Sequence, residues 1–144
     1  MIRLVAVGKM KDRQLADLVT EFARRISGLA PFEILEVRDS KPEREARDLL
    51  ARLESQAGRS FVIALDEKGE EISSRGLAQL LGQHGSLAFL IGGTDGLGQA
   101  ARQRADRILR LSAMTLTHEM ARLLLTEQIY RGLCILRNKP YHRG

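Results

Sequence analysis

The chain has no tryptophan, one cysteine, three histidines and three prolines, and only 4% of its residues are aromatic. With Cys134 alone no internal disulfide can form, which fits a reducing cytoplasm better than a secreted scaffold. His84, His118 and His142 are scattered and show no metal-ligand spacing with that cysteine, so no metal site is expected. No stretch approaches the ~20 uninterrupted apolar residues of a membrane span. The apolar run Ile2 to Gly8 is followed, not preceded, by Lys9, Lys11 and Arg13, so no signal peptide is expected and the expected compartment is the cytoplasm. Internal repeats, low-complexity tracts and linkers are missing too. A length of 144 residues then reads as one domain, 1–144, large enough to bury an independent core.

What is present is alternation. Ile2 to Gly8 is a strand of buried type, and Leu15, Leu18, Val19, Phe22 and Ile26 mark one face of a helix that Gly28 is placed to stop. Pro31 to Val37 reads as a second strand. Ser40 and Pro42 supply a cap and an early proline for a helix carrying Ala46, Leu49, Leu50, Leu53 and Ala57, ended by Gly58. Ser60 to Asp66 is a third, continuously apolar strand, and Asp66 to Gly69 is expected to turn the chain. Ser73 or Ser74 caps a helix through Leu77, Leu80 and Leu81. Ser86 to Ile91 is the fourth strand, a short helix covers Gln99 to Ala105, and Arg107 to Leu111 is the fifth strand. Thr117 caps a long final helix. The order predicts an α/β fold with a mainly parallel sheet, helices on both faces, and ligands outside the carboxyl ends of the strands.

Net charge is +5, unevenly spread. Residues 1–100 hold 14 Lys and Arg against 15 Asp and Glu, whereas 101–144 hold 9 against 3. The excess therefore lies in the last third, and a basic face of that kind reads equally as the footprint of a polyphosphate partner or as a merely solubilising surface.

Gly92, Gly93, Gly96 and Gly98 fall directly after the fourth strand, where glycines allow a ligand to approach the main chain closely. The Lys-Ser/Thr of a phosphate-binding P-loop is missing, and the spacing is not that of a dinucleotide fingerprint. Asp95 is open to a role at the ligand or on the surface. Leu65, Ile91, Leu111, Met114 and Leu116 could wall a pocket for an adenine ring, and Met114 and Leu116 read equally well as core. On the last helix, Glu119 complements the dipole, and Arg122, Glu127 and Arg131 read as an ion-paired flank. His118 reads first as a capping or packing histidine. Leu123, Leu124, Ile129, Tyr130, Leu133 and Ile135 wrap so widely that a second covering surface is expected, most economically a homodimer. The tail Asn138-Lys-Pro-Tyr-His-Arg-Gly144 places Tyr141, His142 and Arg143 together, an aromatic and an arginine suited to a splayed RNA base; docking for stability alone is the other reading.

The glycine loop Leu90 to Leu97, the segment Leu111 to Thr117 with its following His118, and the ending Asn138-x-Pro-Tyr-His-Arg together resemble the RlmH family, the SPOUT-class methyltransferases of large-subunit ribosomal RNA. The resemblance spans the whole chain. It implies a SPOUT-type fold with a C-terminal trefoil knot, a homodimer paired through the last helix whose partner helps complete each active site, and S-adenosyl-L-methionine as cofactor. It assigns cofactor binding to Leu65, Gly92, Gly93, Gly96, Leu111, Ser112, Ala113, Met114, Thr115, Leu116 and Thr117, and the chemistry of the tail makes Tyr141, His142 and Arg143 the expected catalytic residues. The implied reaction methylates 23S rRNA at N3 of the pseudouridine in helix 69, with assembled ribosomes as substrate. A SPOUT methyltransferase of another RNA such as tRNA, or a non-catalytic ribosome-binding dimer, are the alternatives.

Overall fold

A computed structural model of the chain describes residues 1–57 and 59–144, side chains of 56 and 57 excepted. The expectations that Gly58 ends a helix and that Ala57 lies on its inner face fall outside the described residues. Ten elements follow the expected alternation: β1 (Ile2–Val7), α1 (Arg13–Ser27), β2 (Phe32–Val37), α2 (Pro42–Ala57), β3 (Phe61–Glu71), α3 (Ser74–Gln83), β4 (Leu87–Ile91), α4 (Gln99–Arg104), β5 (Arg107–Arg110) and α5 (His118–Leu136). All strand pairs are parallel, in the order β2-β1-β4-β3-β5.

Apolar side chains pack into two layers, one on each face of the sheet. Ile26 of α1, Leu77, Leu80 and Leu81 of α3, and Leu125, Ile129 and Leu133 of α5 form one layer with Leu4, Ile63 and Phe89. Ala46, Leu49 and Leu53 of α2 and Ala101 of α4 form the other with Val5, Val62 and Leu90. Alternate residues of each strand therefore serve opposite layers, which is why β1 and β4 are buried throughout and read as unbroken apolar runs. Steps toward β2 cross one face and steps toward β5 cross the other, so the four crossovers share one hand, as parallel connections require.

Four local details differ from the sequence reading. Gly28 caps the end of α1 as expected, but with helical backbone angles (φ −73°, ψ −14°), donating to the carbonyls of Arg24 and Arg25, so the helix ends in a tightened turn and not a left-handed one. Ser40 is not the cap of α2. Pro42 occupies the first helical position, Lys41 accepts the first helical bond from Glu45, and the Ser40 amide instead donates to Glu45 Oε2 at 2.9 Å. Asp66 to Gly69 does not end β3 but forms a wide bulge, after which Glu70 and Glu71 rejoin β5 opposite Leu109 and Arg110. Gly69 permits the rejoining, because a Cβ there would lie 2.7 Å from the Leu109 backbone. Finally, α5 is covered by its own chain more fully than its composition suggests. It lies against both α1 and α3, and its Gly132 admits Leu81 to a crossing so close that a Cβ would sit 2.7 Å from Leu81 Cδ1. Leu18 on α1 and Leu136 on α5 remain exposed.

One polar side chain fixes the start of α5 over the sheet. The side chain of Arg122 is 3% accessible; Nη1 pairs with Glu36 Oε2 at 2.5 Å, and Nη2 donates to the carbonyls of Gly8 (2.8 Å) and Val7 (3.3 Å). It thus joins α5 to the carboxyl ends of β1 and β2. Replacing Arg122 with Met would strand two buried carbonyls and a carboxylate, and since Glu36 is partly exposed the expected loss is about 3 kcal/mol, near the low end for a broken buried pair. A urea titration checks this: the midpoint should fall with Arg122→Met, and adding Glu36→Gln should recover part of the loss.

Candidate active site

Three chain segments leave the carboxyl ends of β3, β4 and β5 and enclose a cleft of about 870 Å³, within the range of ~300–1,000 Å³ usual for small-ligand sites. The β3 bulge contributes Leu65, Asp66, Glu67 and Lys68, the loop after β4 contributes Ile91 to Leu97, and the segment after β5 contributes Leu111, Ser112 and Met114 to Thr117. Asp12 and Leu15 at the head of α1, and His118, Glu119 and Ala121 at the head of α5, close the remaining side.

The glycine loop owes its shape to backbone contact. Gly93 and Gly96 pair across it, with the Gly96 amide donating to the Gly93 carbonyl at 3.0 Å, and Gly96 takes a φ of +89°. A Cβ on Gly92 would lie 2.6 Å from the Gly96 carbonyl oxygen, and one on Gly98 would run into the Pro42 carbonyl. Only glycine lets the loop fold on itself and seat against α2. The segment after β5 is shaped by short hydroxyl bonds: Ser112 Oγ accepts from the Met114 amide at 2.9 Å, and Thr117 Oγ1 caps α5 by accepting from the Met120 amide at 3.2 Å. Thr115 Oγ1 donates to Glu67 Oε2 at 3.3 Å, tying this segment to the β3 bulge. Glu119 does more than complement the helix dipole: its Oε1 accepts from the amides of Lys11 and Asp12, both at 3.1 Å, and holds the head of α1 against that of α5.

Of the cofactor residues read from sequence, Leu65, Gly92, Gly93, Gly96, Leu111, Ser112, Met114, Thr115, Leu116 and Thr117 line this one cleft. Ala113 belongs to the same segment and is exposed beside them. Met114 is 79% exposed, which removes the core-packing alternative for it, while Leu116 is half-buried. Sequence reasoning missed the polar part of the wall. Asp66 forms an ion pair with Arg102, and Arg110 pairs with Glu71 while its buried Nε has no partner among the described residues. The carboxylates of Asp12, Asp66, Glu67, Asp95 and Glu119 outnumber Lys68, Arg102 and Arg110 around the cleft. An expected turn at 66–69 hid two of those acids, because a turn would have faced them to solvent.

Tyr141, His142 and Arg143 do not line the cleft of their own chain. The tail folds back along α5: the Tyr141 ring meets Tyr130 edge-on at 4.7 Å and lies under the Arg131 guanidinium at 4.8 Å. Its hydroxyl donates to Glu127 Oε1 at 3.4 Å, and burial raises its pKa above the usual phenol value, so it stays a donor at neutral pH. Glu127 also pairs with Arg131 at 2.8 Å, the expected intrahelical pair, but Arg122 faces the opposite side and is no part of that flank. Arg131 Nη1 contacts His142 Nδ1 at 3.1 Å. A guanidinium can only donate, so Nδ1 accepts and the neutral ring carries its proton on Nε2. Arg143 is exposed and unpaired among the described residues, and Arg75 donates to the Gly144 carbonyl at 2.6 Å. Among the described residues no three His, Cys, Asp or Glu side chains cluster as metal ligands, and no helix is long and apolar enough to cross a membrane.

The chain is similar along its length to proteins with established names. Ribosomal RNA large subunit methyltransferase H of Syntrophotalea carbinolica is 41% identical, with 98% of this chain and 97% of that protein covered. The protein of the same name from Prochlorococcus marinus is 44% identical over 99% of this chain and 92% of its own. Among solved structures, a probable methylase family protein from Haemophilus influenzae superposes with a TM-score of 0.63 at 16% identity, covering 95% of this chain and 66% of that one. A probable methyltransferase from Bordetella pertussis gives 0.60 at 21% identity over 92% and 93%. At those identities the structures speak for the fold alone. The family model described as "Predicted SPOUT methyltransferase" matches residues 1–142 of a chain whose five-stranded parallel sheet carries a cleft built by three loops at its carboxyl edge: the chain belongs to the SPOUT methyltransferase family.

Proposed function

We propose that this protein methylates large-subunit ribosomal RNA with S-adenosyl-L-methionine as donor, at N3 of the pseudouridine in helix 69 of 23S rRNA, acting in the cytoplasm as a homodimer on assembled ribosomes. The observation that carries the reading is the convergence of Leu65, the glycine loop and residues 111–117 on one cleft, in a chain 41% and 44% identical to proteins named ribosomal RNA large subunit methyltransferase H. The C-terminal trefoil knot of the SPOUT type is part of the proposal, with the segment 111–117 and α5 as the threaded portion.

The cleft suits the cofactor on three counts. Leu65, Ile91, Leu111 and Leu116 offer apolar walls for a purine, the closely packed glycine loop brings main chain to the ligand, and the surplus of carboxylates favours a cationic donor over a polyphosphate. When bound, S-adenosyl-L-methionine supplies a methyl group already activated by its sulfonium. The protein's own work is then alignment and exclusion of water, which make a bimolecular encounter effectively unimolecular. Met114, exposed at the mouth, is placed to shed water as the base arrives.

The tail supplies the base-handling groups. Tyr141 presents a ring braced by Tyr130 and Arg131, and Arg143 is free to grip phosphate. With Nδ1 engaged by Arg131, His142 offers Nε2–H as a donor to a carbonyl flanking the imide nitrogen, which stabilises the negative charge left as N3 loses its proton. Because these groups lie outside their own chain's cleft, they serve the cleft of the partner in the dimer. Leu18 and Leu136, the large apolar side chains left exposed on α1 and α5, support pairing through that side.

The experiment is incubation of purified protein with methyl-labelled S-adenosyl-L-methionine and ribosomes lacking the modification, followed by location of the label. Label at the helix 69 pseudouridine is expected; label in tRNA or none at all overturns the substrate or the reaction. Gly92→Ala, which forces the two arms of the glycine loop apart, should weaken cofactor binding at least tenfold by calorimetry while the thermal midpoint shows a folded chain. His142→Ala should lower kcat by roughly ten- to a hundredfold with cofactor affinity unchanged, the range of a lost charge-stabilising donor; unchanged turnover would remove His142 from the reaction.

A further inference from the structure

Folding moves the positive charge. The sequence concentrates it in residues 101–144, but six of the nine cations there are paired with carboxylates: Arg102 with Asp66, Arg104 with Asp106, Arg107 with Glu70, Arg110 with Glu71, Arg122 with Glu36 and Arg131 with Glu127. A seventh, Arg137, donates to the Leu29 carbonyl. Four of the partners, Glu36, Asp66, Glu70 and Glu71, belong to the first hundred residues. The basic last third is thus largely neutralised by the acids of the preceding strands.

Among the cations left uncompensated is a group that sequence averaging conceals. Lys9, Lys11 and Arg13 follow β1, Arg38 and Lys41 follow β2, and Arg44 and Arg47 continue from Lys41 at three-residue steps along α2. All seven are exposed, and none has an ion pair or side-chain hydrogen bond among the described residues. The sheet holds the two loops side by side: Val7 pairs with Val37, and the Gly8 amide donates to the Val37 carbonyl at 2.7 Å. Five acids share these segments, among them half-buried Asp48 beside Arg47 on α2. Asp12 caps α1 by accepting from the Leu15 amide, and buried Glu45 accepts from the Ser40 amide, which leaves Asp39 and Glu43 on the surface.

Both loops border the cleft. Asp12 and Leu15 form part of its wall, and Lys11 and Asp12 are tied to Glu119 at the head of α5. On the other side the first turn of α2 abuts the glycine loop, where Gly98 meets the Pro42 carbonyl and a Cβ on Gly93 would lie 3.2 Å from Glu45 Oε2. A phosphate chain lying along these cations would pass the mouth of the cleft. The acidic cleft repels phosphate and the basic rim attracts it, so a nucleic acid can be held there without its backbone entering the cofactor's place.

We infer that the loops after β1 and β2, with the first two turns of α2, are the surface that tracks the phosphate backbone of folded RNA and sets a base at the cleft. This rests on the function proposed above and adds to it a division of labour: this surface carries affinity, and the tail handles the base. Phosphate contacts position a nucleic acid without reading its sequence, and exposed Lys and Arg on two adjacent loops are suited to that.

The test compares the intact protein with Lys41→Gln/Arg44→Gln, Lys9→Gln/Lys11→Gln and, as a contrast, Arg107→Gln, whose partner Glu70 lies away from these loops. Binding to large subunits and to a protein-free rRNA fragment is followed against salt. Each double substitution should lower the slope of log K on log salt by about 2 and weaken binding at physiological salt roughly tenfold. KM for ribosomes should rise with kcat and cofactor calorimetry unchanged, and Arg107→Gln should match the intact protein. Unaltered slope and KM in both double variants overturns the inference, as does a larger effect from Arg107→Gln. Failure of the protein-free fragment to compete assigns the surface to a protein partner and also overturns it. Absence of methyl transfer by the intact protein is a separate result, which sinks the functional reading while the salt slopes still report on the surface.

Discussion

A guanidinium withdrawn from water organises the functional end of this molecule. Arg122 emerges from the second turn of α5 and ends on Glu36 and on the carbonyls of Val7 and Gly8, so one side chain joins the last helix to the carboxyl ends of two neighbouring strands. Both terminal nitrogens of this buried charge find acceptors while its Nε has no partner among the described residues, so the bonds that are made cannot be given up cheaply, which leaves α5 little freedom to shift or rotate. The head of α5 carries Thr117 and Glu119, whose bonds shape the segment after β5 and the loop after β1. Fixing Arg122 therefore fixes two walls of the cleft at once.

The other walls come from backbone that departs from regular structure where glycine allows it. Four extra residues in β3 push Asp66 and Glu67 toward the cleft, and Gly69 lets the strand rejoin β5 immediately afterward. The loop after β4 closes on itself at Gly93 and Gly96 and rests on α2 at Gly98. These devices lie at the carboxyl edge of a parallel sheet, where open α/β folds bind ligands. The sheet below supplies rigidity, since both its faces are covered by helices.

Much of this was legible in the chain, for identifiable reasons. Unbroken apolar runs such as Ile2 to Val7 marked doubly covered strands, and Leu15 to Ile26 marked a helix by its period. The glycine cluster and residues 111–117 disclosed the cleft because a family pattern attached to them. What escaped depends on long-range pairing. Nothing local distinguishes a turn at Asp66 to Gly69 from a bulge; the outcome is set by β5, forty residues later, accepting Glu70 and Glu71. Arg122 looked like a surface residue because its partners, Glu36 and the ends of β1 and β2, are more than eighty residues away. The apolar girth of α5 reads as a demand for a covering surface, and α1 and α3 supply part of that surface within the chain. Net charge by segment misled for the same reason, as arginines of the last third meet acids of the strands before them.

Within one chain the cleft is separated from the tail that carries Tyr141, His142 and Arg143. A complementation assay addresses this separation directly. Chains disabled in the cleft by Gly92→Val are mixed and re-annealed with chains lacking residues 141–144, each inactive alone, and methyl transfer to ribosomes is measured. If cleft and tail act across the dimer, each heterodimer holds one complete site and activity returns in proportion to its abundance. No recovery, with heterodimers verified by mass, would place cleft and tail of the same chain at one site and contradict the account.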